Sequence, residues 1–249
     1  MLKVAIEAAQ EAGKVLSHYF EMTALEREIK DDKSFVTKAD QESERLIVSK
    51  IKEAFPEHGI VGEEGTDVNP HAEYQWVIDP LDGTANFVNG IPIFAISIGV
   101  LKSHEPFGAV VYNPVTHSLY AGERSKGVTY NGKKVTVSDQ DARNGLVTVG
   151  YGSKDREQGR TFPGRASNVF KSSRLLGSAA LELAYVARGG TEGFLSLGLK
   201  KWDYAAGALL VQEAGGTITG LRGEAWDMDV NYFVASNGVV HDDFLTVVS

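Results

Sequence analysis

One short segment constrains this chain more than any other. An apolar strand pattern over residues 76–78 runs directly into Asp79-Pro80-Leu81-Asp82-Gly83-Thr84. A strand that ends in a proline-restricted turn can direct both carboxylates and the Leu81 carbonyl at one point, which suits a hard cation that binds oxygen. If a short helix begins near Thr84, the free N–H groups of residues 83–85 would face an anion beside that cation. The alternative is a surface turn, because Asp, Pro and Gly are common turn residues.

Further carboxylates follow other short apolar segments. Glu63 and Glu64 lie between two glycines. They could supply a third metal ligand and a residue that orients water, or they could be part of a solvated acidic loop. Asp203 begins an alanine-rich helix pattern, as a helix cap or as a metal ligand. Asp40 begins another helix pattern, where its negative charge would at least stabilise the first turn through the helix dipole. Local reasoning leaves these alternatives open.

Apolar spacing predicts two amphipathic helices at the beginning of the chain, over about residues 1–20 and 40–55. Short strand patterns follow from residue 60 onward, and turn signals separate them. Asn131-Gly132 is the clearest of these signals and is typical of a β-hairpin. The order of elements indicates an α+β part.

Strand and helix patterns alternate in the second half, which indicates an α/β layer. Residues 152–164 are interpreted as a polar loop, and residues 174–176 as a strand. We therefore predict an α+β part over residues 1–140 and an α/β part over residues 141–249. No linker rich in Pro, Gly or Ser separates them, so we expect one compact unit.

Composition narrows the available chemistry. The 249 residues include no cysteine, which excludes thiolate nucleophiles, thiolate zinc sites and disulfides. The 25 Lys+Arg against 33 Asp+Glu give a net charge of -8, which disfavours nucleic-acid binding through a basic face. An acidic chain that binds an anion needs local positive charge, and Lys200-Lys201 is either such a source or a solvated pair. Charge interrupts the first helix too often for a signal peptide or a membrane span, so we expect a cytoplasmic protein without membrane contacts.

Several motifs together, in order and spacing, resemble the inositol monophosphatase family of lithium-sensitive, magnesium-dependent phosphatases. Residues 79–84 match the first family signature, and residues 202–207 match the second. Residues 62–64 resemble the loop with the metal-ligand glutamate, and residues 36–40 the segment whose aspartate supports a catalytic threonine. Residues 176–180 resemble the loop beside the sugar. The similarity extends from about Val4 to Phe244.

The resemblance implies a fold, a cofactor and a set of site residues. The fold is a layered αβαβα sandwich of the inositol monophosphatase/fructose-1,6-bisphosphatase type, which combines the α+β and α/β parts. Two or three Mg²⁺ ions per site would activate water to hydrolyse a small phosphate monoester. The implied metal ligands are Glu63, Asp79, Leu81 through its carbonyl, Asp82 and Asp203. The implied catalytic residues are Thr84, Asp40, Glu63 and Glu64. The implied substrate-binding residues are Leu81, Asp82, Gly83, Thr84, Gly177, Ser178, Ala179, Ser196 and Asp203.

Inositol monophosphate is the first substrate that the resemblance implies. Ser196 departs from the pattern, because inositol-hydrolysing members carry a glutamate there that binds ring hydroxyls. Fructose 1,6-bisphosphate, 3'-phosphoadenosine 5'-phosphate and NADP are alternatives with the same chemistry. An alternative of another class is a regulatory partner of the RNA-processing or transcription machinery. The resemblance also implies a homodimer, and Lys30 is a candidate for a lysine near the phosphate.

Overall fold

The structure, a computed structural model, describes residues 1–21, 28–29, 35–36 and 38–248. In these ranges the helices are α1 Leu2–Glu21, α2 Lys38–Ala54, α3 Thr84–Val88, α4 Arg156–Ala166, α5 Ala179–Ala187, α6 Lys201–Glu213 and α7 His241–Val248. The strands are β1 Glu28–Ile29, β2 Phe35–Val36, β3 Gly59–Gly62, β4 Asp67–Val68, β5 Tyr74–Asp82, β6 Ala95–Lys102, β7 Glu105–Asn113, β8 Ser118–Glu123, β9 Gly127–Tyr130, β10 Lys133–Val135, β11 Leu146–Tyr151, β12 Ser172–Arg174, β13 Gly193–Leu197, β14 Thr217–Gly220 and β15 Tyr232–Ser236. Lys30 lies outside the described residues, so its role stays a prediction.

The elements form alternating layers of helix and sheet. Helices α1 and α2 pack on one face of an eight-stranded sheet with the order β10-β9-β8-β7-β6-β5-β3-β4. Helices α5 and α6 cover its other face and also contact a five-stranded sheet with the order β12-β11-β13-β15-β14. Helices α4 and α7 pack on the outer face of that second sheet. The predicted αβαβα sandwich is confirmed.

The central strands of both sheets are buried on both faces, and alternate residues of such a strand enter different apolar clusters. In β5, Trp76 and Ile78 lie in the cluster with α1 and α2, whereas Val77 lies in the central cluster with α5 and α6. In β13, Phe194 belongs to the central cluster and Leu195 to the outer cluster with α4 and α7. This alternation follows from the two-residue period of a strand. The central cluster joins residues from both sides of position 140 in one core.

Two predicted elements in the second half were wrong. Residues 152–164 are not a loop, because α4 occupies Arg156–Ala166 and packs Phe162 against Phe244. Gly159, Pro163 and many charged residues weaken the helix pattern in the sequence, and only its narrow apolar side contacts the sheet. The strand predicted over residues 174–176 is also wrong, because β12 ends at Arg174. The N–H of Leu176 donates to the Glu182 side chain (2.9 Å) and not to a neighbouring strand.

The Asn131-Gly132 turn is where the sequence predicts it, between β9 and β10. Both residues have positive φ, 47° and 77°, as a tight hairpin turn requires. Within the described part of the chain, no helix has the length and apolar character needed to cross a membrane.

Candidate active site

A bulge in β5 shapes the centre of the site. Asp79 pairs with Ser97 and Asp82 pairs with Ala95, so three steps along β5 oppose two steps along β6. Pro80 lies inside this bulge, at a position that pairs with no residue of β6. The N–H that proline lacks therefore costs the sheet no hydrogen bond. The strand was expected to end at residue 78 but continues through Asp82. The bulge turns the strand where its two aspartates enter the site.

Local hydrogen bonds hold the turn after the bulge. The N–H of Leu81 donates to Oδ1 of Asp79 (2.9 Å), and the hydroxyl of Thr84 donates to the Leu81 carbonyl (3.0 Å). Gly83 has φ +91°, and a Cβ atom there would lie 2.8 Å from the Ile93 carbonyl oxygen. Only glycine therefore fits between the second aspartate and α3. α3 begins at Thr84, the position where the sequence left a short helix open as one alternative.

Asp82 is held by the beginning of α5, which comes from the other half of the chain. Its carboxylate accepts hydrogen bonds from the Ser178 hydroxyl and from the N–H groups of Ala179 (3.2 Å) and Ala180 (2.9 Å). Asn86 of α3 donates to the Leu176 carbonyl (2.7 Å) and so ties the preceding loop to the same region. Residues 177–179, a predicted substrate loop, thus lie beside the Asp79–Thr84 turn.

Glu63 lies on a loop that a buried glutamate of α2 supports. Glu44 accepts hydrogen bonds from the N–H of Glu64 (2.9 Å) and from the N–H (3.2 Å) and hydroxyl (2.7 Å) of Thr66. A Cβ atom at Gly62 would lie 2.5 Å from the Glu44 carboxylate, so glycine allows this close approach. Nothing in the local sequence distinguishes Glu44, because it is one of several acidic side chains on α2, and such side chains usually face solvent.

Asp203 caps α6 and also lines the cavity, so the cap does not exclude the predicted metal role. It lies in the first turn of α6, and its carboxylate accepts a hydrogen bond from the N–H of Lys200 (2.7 Å), which is a capping interaction. The same residue also lines the cavity described next. Capping thus fixes the side chain without removing it from the site.

These residues surround a cavity of about 190 Å³ between the two sheets. Of the predicted site residues, Glu63, Asp79, Leu81, Asp82, Gly83, Thr84, Gly177, Ser178, Ala179 and Asp203 line it. Gly150, Tyr151, Glu182 and Leu199 also line it and were not predicted. Tyr151 and Leu199 reach it only because β11 and β13 end beside the turn after the bulge, which no local pattern reveals.

Three other predicted residues lie away from the described lining. Ser196 is fully buried in β13, and its hydroxyl donates to the Asn231 carbonyl (2.9 Å). Asp40 is buried in the first turn of α2, and its charge contributes to the raised pKa of Asp79. Glu64 follows Glu63, and its backbone N–H holds the loop to Glu44. The cavity thus brings together the predicted metal ligands but not the predicted inositol-specific position.

Burial and mutual repulsion raise the pKa values of the cavity carboxyl groups. Loss of hydration raises the pKa of Asp82 to about 6, although hydrogen bonds from Ser178 and the α5 backbone act in the opposite direction. Glu63 is exposed as a residue, but its carboxyl group borders the cavity, where loss of hydration raises its pKa to about 7. Burial, and then the neighbouring carboxylates, raise the pKa values of Asp79 and Asp203 well above their usual range. Such a cluster attracts cations.

The chemistry of the donor set suits Mg²⁺. The four predicted carboxyl ligands and the Leu81 carbonyl supply only hard oxygen donors, and Glu182 adds a fifth carboxyl group to the lining. No histidine occurs among the described lining residues. In the described ranges, no three acidic or histidine side chains are arranged closely enough to ligate one ion. Uncompensated carboxylates repel each other, and a cation would remove that repulsion. The residues therefore fit the ion by donor type, and they line one cavity.

Fold and cavity define a layered αβαβα protein with an acidic, oxygen-lined site between its sheets. The chain belongs to the inositol monophosphatase family, whose model matches residues 1–249, and members of this family generally use Mg²⁺. It is 38% identical over 243 residues to the Nus factor SuhB of Salmonella typhimurium, with 95% of this chain and 91% of that protein covered. It is 39% identical over 251 residues to the fructose-1,6-bisphosphatase/inositol-1-monophosphatase of Aquifex aeolicus, with coverage of 99% and 94%.

Solved structures agree with this membership. The inositol monophosphatase of Anabaena has a TM-score of 0.89 and 34% identity, with 99% of this chain and 94% of that chain covered. The extragenic suppressor protein suhB of Bartonella henselae has a TM-score of 0.93 and 31% identity, with coverage of 99% and 97%.

Proposed function

We propose that this protein is a Mg²⁺-dependent phosphatase that hydrolyses a small phosphate monoester with two or three ions per site. The observation that supports this most is the convergence of Glu63, Asp79, Asp82, Asp203 and the Leu81 carbonyl on one cavity. Mg²⁺, when bound, would lower the pKa of a water molecule and neutralise the charge of the phosphate oxygens. No cysteine is available as a nucleophile, which agrees with direct attack by water.

The chain's own residues would position the reactants. The Thr84 hydroxyl donates its proton to the Leu81 carbonyl, so its oxygen is left to accept a hydrogen bond from the attacking water. Asp82 is held by Ser178 and α5, which keeps its carboxylate in place before a substrate arrives. Glu63 depends on Glu44 for the position of its loop. In-line attack then needs only orientation and charge compensation from the protein.

Phosphate release tests this proposal directly. The substrates are inositol, fructose, adenosine and NADP phosphates, each with Mg²⁺ and with a chelator. Magnesium-dependent release from at least one, inhibited by Li⁺, is the expected result. No release from any substrate at saturating Mg²⁺ would contradict the proposal. The homodimer that the resemblance implies is checked by sedimentation of the same preparation.

A second candidate is a role as a partner of the transcription machinery. It is supported by the name of the Salmonella typhimurium relative, a Nus factor that is 38% identical to this chain. The net charge of -8 disfavours direct contact with RNA, so a protein partner is the form of this role that we propose. The Asp79→Asn variant separates the two roles in a strain that lacks this protein. Full rescue by the folded but inactive variant would favour the partner role, and failure to rescue would favour catalysis.

A further inference from the structure

Glu182 is a buried acidic residue at the edge of the candidate active site. It lies in the first turn of α5, it is fully buried, and it lines the cavity although no predicted motif includes it. The residues before it in this turn are apolar, namely Ala179, Ala180 and Leu181. A carboxyl group in such surroundings lowers the stability of a fold unless hydrogen bonds compensate for its lost hydration.

The two carboxyl oxygens of Glu182 differ in their partners. Oε1 accepts a hydrogen bond from the N–H of Leu176 (2.9 Å), whereas Oε2 has no hydrogen-bond partner among the described residues. Burial raises the pKa of this carboxyl group well above its usual range, which favours its neutral form. Buried polar atoms without a partner are uncommon and require an explanation. Stability alone does not provide one, because a leucine of similar size would fill the same place without a buried polar group.

The peptide groups of Leu176 connect Glu182 to the turn after the bulge. The N–H of Leu176 donates to Glu182, and its carbonyl accepts a hydrogen bond from the Asn86 side chain (2.7 Å). Gly177 follows with φ +77°, and a Cβ atom there would lie 3.2 Å from Nδ2 of Asn86. Hydrogen bonds on both sides of Leu176 therefore fix the 176–178 loop between α3 and α5.

The 176–178 loop also determines where Asp82 lies. Its last residue, Ser178, donates its hydroxyl to the Asp82 carboxylate. The contacts thus lead from Glu182 through the loop to a candidate metal ligand. We propose that Glu182 is a positioning residue, which holds the 176–178 loop in the conformation that binds substrate and orients Asp82. The inference rests on the proposed phosphatase function and adds a residue to its site.

Stability and function should respond differently to the loss of this carboxyl group. Glu182→Leu removes the acceptor of the Leu176 N–H together with a buried carboxyl group, so the melting temperature should stay the same or rise. The loop should lose its fixed position, so KM and the Mg²⁺ concentration for half-maximal turnover should each rise by about tenfold. At saturation kcat should change by less than about threefold, because Glu182 contacts no reacting atom.

The experiment compares Glu182→Leu and Glu182→Gln with the unaltered protein. The substrate is the one that the unaltered protein hydrolyses fastest among inositol, fructose, adenosine and NADP phosphates. Glutamine keeps an oxygen acceptor for the Leu176 N–H, so Glu182→Gln should keep KM and the Mg²⁺ requirement within about twofold. Val186→Ala is the control, because Val186 is fully buried on the same helix and does not line the cavity. It should lower the melting temperature and leave KM unchanged.

Hydrogen exchange of the Leu176 amide reports the position of the loop independently of activity. It is measured without Mg²⁺ and without substrate. Exchange should be faster in Glu182→Leu than in the unaltered protein, because the N–H has lost its acceptor. Exchange in Glu182→Gln should be unchanged.

Unchanged KM and Mg²⁺ requirement in Glu182→Leu would overturn the inference, and so would unchanged exchange of the Leu176 amide. A Glu182→Leu variant that does not fold, or a Glu182→Gln variant that is equally impaired, would overturn it as well. No release from any substrate by the unaltered protein would instead contradict the proposed function. Faster exchange in Glu182→Leu would still show in that case that Glu182 holds the loop, so the two failures are distinguishable.

Discussion

The Ser178 hydroxyl donates a hydrogen bond to Oδ2 of Asp82, across 96 positions of the sequence. This bond connects β5 of the eight-stranded sheet to the residue that precedes α5, a helix that lies between the two sheets. Two backbone N–H groups of α5 donate to the same carboxylate, which also benefits from the positive end of the helix dipole. The position of one predicted metal ligand is therefore set by an element of the other half.

Ser178→Ala removes one donor from the buried carboxylate of Asp82 and leaves the two backbone donors in place. We expect the free energy of unfolding to fall by about 1–3 kcal/mol. The pKa of Asp82 should rise further, since the Ser178 hydrogen bond lowers it. Chemical denaturation and the Mg²⁺ dependence of turnover measure the two effects. Ser178→Thr keeps the hydroxyl and is the control; equal behaviour of the Ala and Thr variants would contradict this role.

Asp203→Asn should reduce turnover by at least about a hundredfold without unfolding the protein. The amide oxygen can still accept the N–H of Lys200, so the cap of α6 persists, but the charged ligand is lost. The measurement is turnover at saturating Mg²⁺ together with melting temperature with and without Mg²⁺. Asp229→Asn, on the exposed partner of Lys201, is the control. Near-normal turnover of Asp203→Asn would refute the assignment.

Glu44→Gln should weaken Mg²⁺ binding, because one oxygen of Glu44 is replaced by an amide that cannot accept the hydrogen bonds of residues 64–66. Calorimetry of Mg²⁺ binding and hydrogen exchange of the Glu64 and Thr66 amides report the effect independently of activity. Faster exchange at both amides is expected. Glu42→Gln, an exposed position on the same helix, is the control. Unchanged exchange and unchanged Mg²⁺ affinity would show that Glu44 does not position the loop.

The pH dependence of stability should differ between the metal-free and Mg²⁺-bound protein. In the metal-free fold the pKa of Glu63 is raised from 4.5 to about 7 and that of Asp82 from 3.8 to about 6. The folded state therefore holds protons that the unfolded state has released, so this contribution to stability is present at low pH and is lost as the pH rises from about 4 to about 7. Mg²⁺ displaces these protons and restores stability.

The increase in melting temperature on adding Mg²⁺ should thus grow between pH 5 and pH 8. Taking the difference between the two states cancels the contributions of groups outside the site, such as His241, whose buried ring has a lowered pKa. Glu63→Gln should reduce the growth of this difference. An increase that is constant across the range would show that proton release by these carboxylates is not coupled to metal binding.

Much of this protein is determined by its sequence alone. The two-residue and helical periods of apolar positions predicted the elements that are strongly amphipathic or wholly apolar, including α1, α2, α5 and α6. The carboxylates at the end of β5 and at the start of α6 were recognisable because their motifs are contiguous. α4 was missed because few of its residues contact the core, so the pattern that indicates a helix is weak there.

Only the tertiary structure decided which residues meet. Glu182 and Tyr151 have no local signal, and they line the cavity because the two sheets pack on the same pair of helices. Glu44 has no local signal either, and it holds the Glu63 loop from α2, on the opposite face of the eight-stranded sheet. The same packing buries Ser196 beside Asn231 and leaves Lys154 and Lys200 around a second cavity. The physical reason is that periodicity specifies which face of an element is apolar, whereas the convergence of side chains depends on contacts between segments about a hundred residues apart.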